Sequence, residues 1–192
     1  MTPLLLNNRF LRPFFHWFAR FSLFILGWET QGRMPDLKKA ILIAAPHSSN
    51  WDFVYFLLII FKLKIPVHWM GKASMFIWPF KDLLKRLGGI PVDRSKKTNL
   101  VETMGRTIQR ADHMIITIAP SGTRQQGGQW KSGFYHIANL AQIPLICGFV
   151  DYEKKQGGIG PLFVPTGNMD KDIQAIQAFY KDKTGKHPGQ GR

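Results

Sequence analysis

Cysteine is nearly missing from this chain. The one present, Cys147, has no partner for an internal disulfide, so the sequence is not a small secreted module held by cross-links. Its neighbourhood, Ile143-Pro144-Leu145-Ile146-Cys147-Gly148-Phe149-Val150, is apolar and predicts a buried strand, which favours an inert thiol over a nucleophile. No Cys/His spacing suits zinc. Acidic residues are scarce as well: 12 Asp and Glu face 26 Lys and Arg, a formal excess of +14. That imbalance implies an anionic partner, whether nucleic acid, an anionic membrane or a phosphorylated substrate, unless it serves only to keep a soluble monomer apart from its copies. There is no zinc-finger or basic-zipper pattern and no clear RNA-recognition motif, and the basic residues are not densely clustered. With 15 Phe and 6 Trp weighted toward the N-terminal side, the balance excludes nucleic acid and favours a membrane.

No stretch reaches the roughly twenty uncharged apolar residues a spanning helix needs. Residues 10 to 28 come nearest, but Arg12, Pro13, His16 and Arg20 interrupt them, and no small-residue cleavage site of a signal peptide follows. Arg9, Arg12, His16 and Arg20 are three, four and four residues apart and share one helix face, while Phe14, Phe15, Trp17, Phe18, Phe21, Phe24 and Ile25 cover the rest. This pattern predicts a helix lying in a membrane interface, with Arg9, Arg12, His16 and Arg20 near lipid phosphates and Phe14, Trp17, Phe18 and Phe21 in the apolar layer. The plainer alternative is a helix packed on the domain core.

The remainder alternates between strand-like and helix-like segments. Strands are expected at 40–45, 66–70, 89–92, 113–119, 143–150 and 159–165, and helices at 52–63, 73–87, 97–110, 132–142 and 170–182. Such alternation predicts a single α/β domain with a mostly parallel sheet flanked by helices. The expected organisation is a membrane-associating segment at 1–30, the α/β domain at 31–183 and a polar, disordered tail at 184–192.

In such sheets the ligand crevice lies beyond the C-terminal strand ends. There the chain places Ala45-Pro46-His47-Ser48-Ser49-Asn50-Trp51-Asp52, after the apolar run at 40–44. An imidazole at a strand end with a carboxylate on the next helix turn is the minimum equipment for general-base chemistry on a hydroxyl. Asp52 could equally do no more than stabilise a helix start, standing at capping-box spacing from Ser49. Ser48 and Ser49 read as turn or capping residues in preference to nucleophiles. Arg94 and the run Ser121-Gly122-Thr123-Arg124 follow two further strands and can converge on the same edge, although each cation alone would pass for a solvated surface charge.

Three more blocks follow the His47 block in order. They are Gly71-Lys72-Ala73-Ser74-Met75-Phe76-Ile77-Trp78-Pro79-Phe80 leading into Leu87-Gly88-Gly89-Ile90-Pro91-Val92-Asp93-Arg94; Ala119-Pro120-Ser121-Gly122-Thr123-Arg124; and Trp130-Lys131-Ser132-Gly133-Phe134-Tyr135-His136-Ile137-Ala138 with Ile143-Pro144-Leu145-Ile146. Over residues 40 to 150 this series resembles the glycerolipid acyltransferases, the 1-acyl-sn-glycerol-3-phosphate acyltransferase family. The resemblance implies transfer of a fatty acyl group from an acyl-CoA or acyl carrier protein thioester, as co-substrate and without a cofactor or metal, to a lysophospholipid-like hydroxyl. His47 would be the general base and Asp52 its orienting carboxylate. Lys72, Arg94, Ser121, Gly122, Thr123 and Arg124 would form the acceptor's phosphate site, where a planar Arg fork suits phosphate. It further implies a peripheral protein on the cytoplasmic face of a membrane. One departure stands out. The family block reads Glu-Gly-Thr-Arg, and Ser121 replaces the Glu, which bears on the acceptor more than on the reaction type. A thioester hydrolase, in which the same base activates water, and a catalytically impaired lipid-binding module are the alternatives.

Overall fold

The computed structural model describes residues 4–93, 100–121 and 130–187. Among these, seven strands form one sheet in the order β1-β7-β6-β2-β5-β3-β4. The strands are β1 (Glu29–Gln31), β2 (Lys39–Ala45), β3 (Val67–Lys72), β4 (Gly89–Val92), β5 (Met114–Ile118), β6 (Leu145–Asp151) and β7 (Gln156–Phe163). All neighbours run parallel except β6 and β7, which a tight turn joins as an antiparallel pair. The expected α/β domain with a mostly parallel sheet is therefore present. β2, β5 and β6 are almost wholly buried, which is why they read as continuous apolar runs with no polar alternation.

Alternate residues of β2 feed two cores. Ile41, Ile43 and Ala45 pack with α4 (Leu100–Arg110), α5 (Gly133–Ala141) and α6 (Met169–Tyr180) on one face. Ala40 and Leu42 pack with α1 (Leu11–Ile25) and α2 (Trp51–Leu63) on the other. The period-two alternation of strand side chains makes this division. α2 ends where Lys64 adopts the left-handed conformation, φ 58°, and the Ile65 N–H donates back to the Ile60 carbonyl.

α1 lies on α2. Ala19 and Leu23 are fully buried, and Phe15 meets the Phe61 ring at 5.0 Å between centroids. His16 turns inward, its Nδ1 2.9 Å from the Lys62 carbonyl oxygen. Arg9, Arg12 and Arg20 of the expected basic stripe are exposed, and His16 is half-buried beside Arg9 and Arg12. Among the described residues no helix is long and apolar enough to cross a membrane.

Three local expectations differ from the structure. The helix expected at 73–87 is broken into a 3-10 turn, Ala73–Met75, and a short α3, Lys81–Arg86. Pro79 lacks the amide donor a continuous helix needs and restricts Trp78 before it. β1 was not expected, because three half-exposed residues carry no periodic signal; it exists by pairing with β7. Gly158 on β7 has φ 157° and a side chain there would collide with the Gln31 carbonyl, so this close approach requires glycine. Finally, residues 184–187, expected in a disordered tail, lie on the loop after β2, while 188–192 fall outside the described residues.

Candidate active site

The loop Pro46–Asn50 carries the chain from the C-terminal end of β2 into α2. β2 lies between β6 and β5, so the site draws on the ends of three adjacent strands. Asp52 occupies the first turn of α2, where a carboxylate complements the positive end of the helix dipole. It is almost fully buried, and both of its oxygens are engaged. Oδ2 accepts from the backbone N–H groups of Ser48 at 2.6 Å and Ser49 at 2.7 Å, and lies 3.2 Å from His47 Nδ1. Oδ1 accepts from the Tyr152 hydroxyl at 2.8 Å. Asp52 thus fastens the loop, as the helix-start reading anticipates, and faces the imidazole as well. Burial pushes its carboxyl up, but the His47 imidazole, the Ser49 N–H, the Tyr152 hydroxyl and the Ser48 N–H outweigh this and hold it below the usual carboxylate value.

The His47 side chain is 26% exposed, so the ring is open on one side to a ligand. The neighbouring serines are occupied structurally. Ser49 Oγ accepts from the Trp51 N–H at 3.2 Å and Ser48 Oγ from the His187 N–H at 3.3 Å. Cys147 is buried in β6 and its thiol is pushed up to about 11 by burial, which suits an inert core residue.

His47 and Asp52 line a cavity of about 790 Å³. Its floor is the α2-facing side of the sheet, with Leu42, Ala44 and Thr117, and α2 roofs it with Phe53, Phe56 and Ile59. Trp69, packed edge-on against Phe53 at 4.6 Å, closes one flank. The size is that of a small-molecule site and the walls are mainly apolar, so an extended hydrocarbon fits where a charged ligand would lose its hydration. Lys72, exposed at the end of β3, is on the rim.

The remaining sequence-derived site residues divide. Ser121, immediately after β5, is buried at 3% exposure, and its hydroxyl has no partner among the described residues. Arg94, Gly122, Thr123 and Arg124 lie outside the described residues. β4, which leads to Arg94, is the edge strand, separated from β2 by β5 and β3. Sequence reasoning missed Tyr152. Its signal was present: Asp151-Tyr152 are the first polar residues after the apolar run of β6, at the same sheet edge as His47.

An α/β domain with a histidine and a buried carboxylate side by side in an apolar cavity has the form of an enzyme site. The acyltransferase family matches residues 28–149, more than half of the sequence, and this chain belongs to that family. The fold is similar to the crystal structure of PlsC, the 1-acyl-sn-glycerophosphate (LPA) acyltransferase from Thermotoga maritima. The two share a TM-score of 0.60 and 14% sequence identity, over 90% of this chain and 78% of that one. No curated protein matches the chain. The resemblance to glycerolipid acyltransferases carried by the four sequence blocks thus agrees with both family and fold.

Proposed function

We propose that this acyltransferase moves a fatty acyl group from an acyl thioester to the hydroxyl of a lysophospholipid-like acceptor. The observation that carries the reading is the His47–Asp52 couple, 3.2 Å apart, in the wall of the apolar cavity. An alcohol is a poor nucleophile near neutral pH and must lose its proton as it attacks. His47 Nε2 takes that proton while Nδ1–H points to Asp52 Oδ2, whose charge stabilises the imidazolium and fixes the tautomer. The acceptor oxygen adds to the thioester carbonyl, and the tetrahedral species collapses with cleavage of the carbon–sulfur bond. The proton held on Nε2 then passes to the departing thiolate. The acyl chain occupies the cavity between α2 and the sheet. Lys72 on the rim, with Arg94 and Arg124 by the family resemblance, neutralises the acceptor's phosphate, and the Thr123 hydroxyl offers it a hydrogen bond. Ser121 in place of the family's glutamate supports an acceptor other than lysophosphatidic acid.

The donor is acyl-CoA or acylated carrier protein, either of which is anionic and suits the +14 chain. The protein works as a peripheral enzyme on the cytoplasmic face of a membrane, where such donors meet lipid acceptors. α1 supports this: Phe14, Trp17, Phe18, Phe21 and Phe24 are each more than half exposed, and the Arg20 guanidinium lies over the Trp17 ring at 5.2 Å. So broad an uncovered aromatic face, edged by arginines, matches an interfacial helix.

The test is product formation from acyl-CoA and from acyl carrier protein thioester, with and without a panel of lysolipids in vesicles. Esterified lipid appearing only with acceptor is expected. Free fatty acid at an equal rate without acceptor would convert the reading to a hydrolase. In a second measurement, replacing Phe14, Trp17 and Phe21 together by Ser should weaken sedimentation with anionic vesicles by roughly 100-fold or more, since each ring contributes well over 1 kcal/mol when buried in lipid. Unchanged sedimentation would remove α1 as the anchor.

A further inference from the structure

The Asp52 carboxylate has a second keeper that the acyl-transfer scheme does not use. Tyr152, at the turn after β6, reaches 100 residues back along the chain to donate its hydroxyl to Oδ1 at 2.8 Å. Its ring cannot wander. Trp28 meets it edge-on at 5.1 Å and Tyr55 at 5.4 Å, and these two rings stack on each other at 4.0 Å. Its backbone is tied too, the N–H donating to the Thr184 carbonyl at 2.8 Å. A clamped phenol aimed at the oxygen that does not face the imidazole is more than packing. We infer that Tyr152 is a positioning residue for the His47 base, which fixes the Asp52 carboxylate in register and draws charge from it toward Oδ1.

The inference rests on the proposed role of His47 and Asp52. A carboxylate oxygen that accepts a strong hydrogen bond is a weaker base, so the couple stabilises the imidazolium less than a bare carboxylate would. Removing the phenol returns charge to Oδ2 and strengthens its hold on the imidazolium that forms during the reaction. Burial and the bond to Asp52 push the Tyr152 phenol well above its ordinary value, so it remains a donor throughout the working range. Among the described residues, the other titratable or charged groups around the couple are Tyr55 on α2, Lys72 on the cavity rim, and Lys186 and His187 of the terminal segment, where Lys186 lies over the Trp51 ring at 4.9 Å. None of them bonds Oδ1 among the described contacts.

The experiment compares full-length Tyr152→Phe, His47→Ala and Tyr135→Phe, assayed for acyl transfer across pH. Tyr135→Phe is the control, because it deletes a phenol–carboxylate bond of the same kind, to Asp172 at 2.7 Å, outside the site. Tyr152→Phe should keep the ring clamp, lower kcat by about tenfold to a hundredfold, and move the acid limb of kcat/KM upward, whereas Tyr135→Phe should leave the limb in place. Site-specific fluorotyrosine at position 152, a stronger donor of nearly the same shape, should move the limb the opposite way. An unshifted limb in both Tyr152 proteins, with His47→Ala inert, overturns the positioning role alone. An active His47→Ala protein overturns the general-base reading beneath it.

Discussion

His47→Ala should abolish acyl transfer and leave the fold in place. General-base assistance contributes roughly 10²–10⁴-fold, and the alanine also removes the proton carrier to the leaving thiolate, so kcat should fall by about 10³-fold or more. The ring is partly exposed, and among the described residues its polar contact is with Asp52. Asp52 keeps its three other donors when the imidazole goes, so thermal stability should change little. The rest of the cavity lining is untouched, and the KM values for donor and acceptor should therefore change far less than kcat. Retained turnover in a folded His47→Ala protein would exclude His47 as the base. Collapse of turnover together with loss of the folding transition would instead make the residue structural, which the geometry argues against.

The sheet was legible wherever burial on both faces wrote a continuous apolar run, as in β2, β5 and β6. It was illegible where pairing alone makes the strand, as in β1, whose three residues gain their order from β7. The His47–Asp52 couple was legible because one loop and one helical turn hold it, so five residues of sequence encode the contact. Tyr152 was not, because its contact with Asp52 is made by the sheet: β6 lies beside β2, and only that neighbourhood brings the phenol to the carboxylate. The terminal segment misled for a related reason. Thr184 to His187 are polar and lie among Gly and Pro, yet backbone groups there meet partners elsewhere, Thr184 O with the Tyr152 N–H and His187 N–H with Ser48 Oγ. Gly185 fits because a side chain would press on Ser48, its Cβ 2.7 Å from the hydroxyl. Such long-range closures leave no periodic trace in sequence.

Asp52→Asn separates the charge of the couple from its shape. The amide can keep its oxygen toward the Ser48 and Ser49 N–H groups and the His47 ring, and turn its NH₂ toward the Tyr152 oxygen, which is able to accept. The loop should stay fastened, but no negative charge remains to stabilise the imidazolium. The loss in kcat should be about 10²–10⁴-fold, the range expected when a base loses its carboxylate but not its place. Stability supplies an independent reading. The folded protein holds the Asp52 carboxyl below its ordinary value, so ionised Asp52 stabilises the fold at neutral pH, fully above the unfolded value of about 3.9. That contribution disappears as pH falls through the folded value, where native Asp52 takes up the proton that the unfolded chain already holds. The thermal stability gap between the parent and Asp52→Asn, about 1–3 kcal/mol for charge-assisted bonds made weaker, should thus be largest near neutrality and narrow in acid. Melting temperatures measured from neutral pH down to about pH 3 check this; a gap that stays constant across that span would mean that folding does not shift the Asp52 carboxyl, and one that narrows toward neutrality would mean that the native fold keeps it protonated.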